Sequence, residues 1–130
     1  MIKKAFLLLA CLTIFILTMF GCQSSSTKKI ENTTHIVIGY GFNSYVAIIK
    51  EQKEIKQLVD LFNGAEFTKS DASIQQPYLS ISFSEKKSST LFYIDDKDVI
   101  QLGDGNYMKS KQINFNKLYS IFYEYSSKKK

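Results

Sequence analysis

The sequence predicts an α+β domain, a mainly antiparallel sheet of about six short strands with two helices packed on one face. Three observations predict it. Short runs rich in Val, Ile, Tyr and Phe recur between polar turns. Two other segments, one following Gln52 and one following Asn114, repeat their apolar residues at three- and four-residue steps. Between them Leu79, Ile81 and Phe83 alternate with Ser80, Ser82 and Ser84, the period of a half-buried strand.

Taken in order, His35 to Gly39 and Tyr45 to Ile49 read as a hairpin joined by Tyr40, Gly41, Phe42, Asn43 and Ser44, with Ile36, Ile38, Val46 and Ile48 toward the core. From Gln52, Ile55, Leu58, Val59 and Phe62 form one helical stripe, and Lys53, Glu54, Lys56, Gln57 and Asp60 the other. Glu51 and Glu54 suit the helix dipole, and Asn63-Gly64 predicts a left-handed stop. Pro77 marks the entry to the alternating strand, a polar turn follows at Glu85 to Ser89, and Thr90 to Ile94 returns. Asp95 to Asp98 turn the chain again into Val99 to Leu102, and Asp104-Gly105 predicts a tight hairpin into Asn106 to Lys109. Asn114 then caps a helix carrying Phe115, Leu118, Tyr119, Phe122 and Tyr125.

The N-terminus carries a different signal. Lys3 and Lys4 precede an apolar run from Ala5 to Phe20, the layout of a secretory signal. The run ends in Met19, Phe20, Gly21 and Cys22. These residues resemble the lipobox of bacterial lipoproteins, which implies diacylation of Cys22, a palmitate-type anchor, and cleavage after Gly21. Met19 and Phe20 depart from the commoner leucine and small residue at those places. An uncleaved signal anchor would also carry everything after residue 22 across the membrane. Two acyl chains hold stably, since each buried methylene contributes about 0.8 kcal/mol. The expected location is the extracytoplasmic face of the cell membrane.

The expected organisation is a signal peptide at 1–21, a flexible tether at 22–34, a single domain at 35–127 and a basic tail at 128–130. The order of elements, from a lipid-anchored N-terminus through Glu54-Ile55 to Phe62-Asn63, Tyr78 to Phe83, Leu91 to Ile94, a glycine turn before Tyr107 and a closing helix, resembles the YhfM-like small lipoproteins of Gram-positive bacteria. That resemblance implies an envelope location and an α+β domain, and carries over no catalytic residue.

Charge and composition narrow the function. The chain has a formal charge of +5, yet the lysines at residues 3, 4, 28, 29 and 128–130 lie outside the domain. Between residues 35 and 127 ten lysines stand against eleven Asp and Glu, a net charge of −1. A basic nucleic-acid surface is not supported. With all 17 basic residues lysine, arginine clamps for phosphate or carboxylate are absent. Cys11 lies in the signal, so Cys22 has no mature partner for a disulfide and stability must come from packing.

No residue set points to a reaction or a cofactor. His35 is the only histidine, which rules out a histidine-pair zinc site within one chain. Asp95, Asp96, Asp98 and Asp104 cluster without the spacing of a calcium loop and fit turn-forming roles. Gly39 and Gly41 lack the remainder of a phosphate loop. The chain has eight tyrosines, and Tyr40 and Tyr45 with Phe42 at the predicted hairpin tip are the candidate partner surface. No catalytic and no metal residue is assigned. The leading expectation is a non-catalytic binding or accessory module that meets an envelope protein or wall component. An immunity, exclusion or inhibitor lipoprotein, and a small envelope hydrolase or metal-dependent enzyme using His35 or the aspartate turns, are the alternatives.

Overall fold

Alternation governs the first two strands of the computed structural model, which describes residues 28–41 and 45–127. β1 (His35–Tyr40) buries Ile36 and Ile38, and β2 (Val46–Ile49) buries Ala47 and Ile49. Their antiparallel register sets Ile36 opposite Ile49 and Ile38 opposite Ala47, so these four share one face. The expectation that Val46 and Ile48 face the core is therefore reversed. A one-residue shift of register exchanges the two faces, and here it leaves Val46 exposed and Ile48 half-buried on the other side.

α1 (Gln52–Gly64) buries Ile55, Leu58 and Phe62 of the stripe its sequence predicts and leaves Val59 half-buried against the core. Its end differs from the expected left-handed stop. Gly64 belongs to the helix, and the chain leaves through Ala65 in an extended conformation, φ −73° and ψ 140°. An extended exit needs no residue of positive φ. The Asn63 side chain is used elsewhere, on the backbone of Ile30, from which its Oδ1 accepts an N–H at 2.8 Å.

The remaining strands are β3 (Thr68–Lys69), β4 (Tyr78–Ser84), β5 (Ser89–Asp95), β6 (Ile100–Gln101) and β7 (Tyr107–Lys109). The seven form one antiparallel sheet in the order β2-β1-β4-β5-β6-β7-β3. The added strand is β3, two exposed polar residues recruited by pairing with β7, and so short that no periodicity announces it. β1 and β4 join the hairpin to the meander with Ile36 opposite Phe83, Ile38 opposite Ile81 and Tyr40 opposite Leu79.

α2 (Phe115–Ser127) begins where the Asn114 carboxamide oxygen accepts the Lys117 N–H at 2.9 Å, an N-cap as expected. The Phe62 ring lies 5.0 Å from Phe83 and 4.8 Å from Phe92, and Phe122 of α2 lies 6.0 Å from Tyr40. Phe83, Phe92 and Tyr40 occupy one face by register, so both helices cover that face. The other face carries Val37, Ile48, Ser82 and Leu91, all half-buried, with no described helix against it.

The packed domain also begins earlier than residue 35. Ile30 is 2% exposed and belongs to the core, so the segment expected as tether contains a core residue. The segment expected as a signal peptide, with Gly21, then Cys22, the first part of the expected tether, Phe42 and the basic residues 128–130 lie outside the described residues. Among the described residues no helix is long and apolar enough to cross a membrane.

Candidate functional site

The parity of β1 decides the position of Tyr40. Because Ile36 and Ile38 point to the helices, Tyr40 does too, at the end of the sheet where the first turns of α2 only partly cover it. Its ring lies 5.3 Å from Tyr119, and Tyr119 stacks on Phe115 at 5.8 Å with the planes 10° apart. Such ring pairs contribute about 0.5–1.5 kcal/mol beyond area burial. They form a short aromatic ladder whose inner member, Phe115, is buried and whose outer member, Tyr119, is 37% exposed.

The chain turns away directly after Tyr40. Gly41 adopts φ +54°, a conformation other residues rarely take, and its N–H bonds to the Tyr78 carbonyl at 2.7 Å. That bond brings Gln76 and Pro77 beside Tyr40 and Gly41, and the four line an open depression of about 340 Å³. Tyr45, 73% exposed, immediately precedes β2 and stands next to the exposed Val46. Of the three predicted surface residues, Tyr45 is open to solvent, Tyr40 is a half-buried rim residue, and Phe42 is not described.

Asp95 positions the segment that carries Pro77. It is fully buried, and its carboxylate accepts three backbone N–H groups. Oδ1 takes those of Lys97 at 3.0 Å and Val99 at 2.9 Å, and Oδ2 takes that of Gln75 at 2.9 Å. The Gln75 bond reaches back twenty residues and clamps the approach to β4 onto the β5–β6 turn. Asp104 accepts the Asn106 N–H at 3.0 Å inside the β6–β7 turn. Asp98 accepts the Phe115 N–H at 2.7 Å, at the N-terminus of α2. Asp95, Asp98 and Asp104 thus act on backbone donors, and among the described residues no group of three or more His, Cys, Asp and Glu is arranged to hold a metal ion. His35 lies at the start of β1 with its Nδ1 3.0 Å from the Thr34 hydroxyl, away from the aspartate turns.

No family model, curated protein or solved structure matches this chain. The aromatic partners of Tyr40, which the sequence reading missed, had a signal in composition. α2 carries Phe115, Leu118, Tyr119, Ile121, Phe122, Tyr123 and Tyr125, more apolar side chains than one stripe buries, so some had to be exposed. Tyr119 and Tyr123, at 65% exposure, are the two left at the surface. The contribution of Gln76 and Pro77 had no local signal, because the Gly41 and Asp95 bonds that place them span the fold.

A second cleft, of about 490 Å³, opens where the β5–β6 turn, the β7–α2 loop and the approach to β3 meet. Thr68 Oγ1 donates to the Lys109 carbonyl at 3.4 Å, and the Glu66 N–H donates to Gln112 Oε1 at 3.3 Å. These bonds hold together segments more than forty residues apart.

Proposed function

We propose that this chain is a lipoprotein of the extracytoplasmic membrane face, anchored through acylated Cys22, and that its domain is a non-catalytic binding or accessory module of the cell envelope. The observation that carries the binding role is the aromatic end built from Tyr40, Tyr119 and Phe115 beside the Gly41–Pro77 depression, with Tyr45 standing exposed nearby. Tyrosine offers a large contact area with few torsions to immobilise, so rings half-exposed on a rigid sheet end suit recognition of a protein or wall component. The lipobox-like Met19-Phe20-Gly21-Cys22 supports the anchor and hence the location. A domain beginning at Ile30 would leave only residues 22–29 to span from lipid to core. Eight residues reach at most about 26–29 Å when taut, which keeps the binding end close to the membrane.

Affinity capture from solubilised envelope fractions tests the binding role. The wild-type chain is expected to retain a specific partner that Tyr45→Ala together with Tyr119→Ala loses at temperatures where both proteins are folded; Tyr45→Ala alone should melt like the wild type, while Tyr119→Ala should melt somewhat lower through its lost ring contacts with Tyr40 and Phe115. Capture that is unaffected by the paired substitution, or the absence of any specific partner, would overturn it. Intact mass of the membrane-extracted protein tests the anchor. A chain starting at Cys22 with added diacylglycerol is expected, and an unmodified full-length mass refutes it.

A further inference from the structure

We infer that the cleft between the β5–β6 turn, the β7–α2 loop and the approach to β3 is a binding site for a phosphate-bearing anion. Lys97, Lys109 and Lys111 line it, each exposed, Lys97 in the β5–β6 turn, Lys109 at the end of β7 and Lys111 in the β7–α2 loop. Among the described residues none of the three takes part in an ion pair. Two carboxylates share the cleft, and they are not equivalent. Asp98 is committed to the Phe115 N–H at 2.7 Å and faces the positive end of α2. Glu66 is the acid that remains to oppose an incoming anion.

The concentration of charge is local. A domain with ten lysines and eleven acidic residues over 35–127 places three of those lysines around one cleft. Like charges held at one concave surface repel each other, and an anion between them relieves that repulsion. The donor chemistry selects the class of anion. Lysine acts as a rotatable point charge and lacks the planar fork that arginine offers a carboxylate, so three ammonium groups suit a compact tetrahedral anion better than a planar one. Gln112 completes the wall, with its Oε1 already accepting from Ser110 Oγ at 2.9 Å and from the Glu66 N–H, leaving its Nε2 as a donor. A cleft of about 490 Å³ admits more than one phosphate group, so a phosphodiester with its flanking substituents fits. The site lies apart from the Tyr40 end, and the inference holds whether or not that end docks a partner.

The test uses the full chain in neutral detergent, titrated with inorganic pyrophosphate and followed by amide resonances. Saturable shifts confined to residues 66–68, 97–98 and 109–112 are expected. Each of Lys97→Gln, Lys109→Gln and Lys111→Gln should weaken binding about two- to five-fold, as exposed single charges do. Glu66→Gln should tighten it, and added salt should weaken it. An unchanged melting temperature in these exposed variants separates lost binding from lost folding. Two further arms identify the source of the phosphate: soluble poly(glycerol phosphate), and phosphatidylglycerol vesicles against phosphatidylcholine controls. Lysine-dependent binding in either arm supports the inference and names a polymer or a lipid headgroup. Shifts spread evenly over all the lysines, or an affinity that survives the triple substitution, would overturn it.

Discussion

The carboxamide of Asn63 holds the backbone of Ile30 at both ends: its Oδ1 accepts the Ile30 N–H at 2.8 Å and its Nδ2 donates to the Ile30 carbonyl at 2.9 Å. The pair of bonds imitates a strand neighbour and lets a segment with no sheet partner deliver a side chain that is 2% exposed. Asn63 lies at the end of α1, so helix and N-terminal segment are fastened at one point.

Asn63→Ala should therefore destabilise the domain by about 1–3 kcal/mol, through the loss of two hydrogen bonds and the freeing of Ile30. Ile30→Ala should cost about 2–5 kcal/mol as a buried large-to-small change. The two should be less than additive, because either one releases the same segment. Urea denaturation of the single and double variants measures this. Full additivity would contradict the coupling.

Asp95 is the next weak point. Asp95→Ala leaves the N–H groups of Gln75, Lys97 and Val99 without their acceptor, the Val99 bond buried and the other two part-buried. A loss of roughly 2–3 kcal/mol is expected, since the buried Val99 donor costs about 1–3 kcal/mol when orphaned and the two part-buried donors, which water can reach, cost less. Asp95→Asn keeps one acceptor oxygen and should lose less. Hydrogen exchange should quicken at Gln75 and Val99 first, and uniform acceleration across the sheet would count against a local clamp.

On the face of the sheet that no described helix covers, Gly39 leaves little space. A Cβ at this position would stand 2.8 Å from the Ser80 hydroxyl oxygen. Gly39→Ala is expected to lower stability by about 1 kcal/mol through overpacking. Because the obstacle is a single side-chain atom, Gly39→Ala with Ser80→Ala should recover most of the loss. A double variant as unstable as Gly39→Ala alone would place the obstruction elsewhere.

Cys22→Ser should move the protein from the membrane fraction to the soluble fraction of an expressing cell if cleavage still occurs, and should abolish incorporation of labelled fatty acid in any case. Thermal stability of the domain should not change, because its core reaches no further toward the N-terminus than Ile30 among the described residues. Fatty-acid labelling that persists in Cys22→Ser would refute the assignment of the anchor.

The elements of this fold were largely legible because periodicity is a local property. Ile55, Leu58 and Phe62 can be read as a helical stripe, and Leu79, Ile81 and Phe83 as a strand face, without knowing what they meet. Asn114 could be read as a cap, since its acceptor lies three residues away. β3 could not, because two polar residues become a strand only when Lys109 and Met108 arrive beside them. The faces of β2 could not either, because its alternation is compatible with both choices, and the Ile36–Ile49 register settles which side is buried.

The sites divide in the same way. The sequence by itself determined the classes of element and the near-neutral charge of the domain, both of which depend on identity and near-neighbour spacing. Only the tertiary structure decided that Tyr40 meets Tyr119, that Asp95 clamps Gln75, that Asn63 closes on Ile30 and that Lys97 shares a cleft with Lys109 and Lys111. These contacts are made between residues brought together by strand register and helix packing, and no local pattern encodes a distance across the fold.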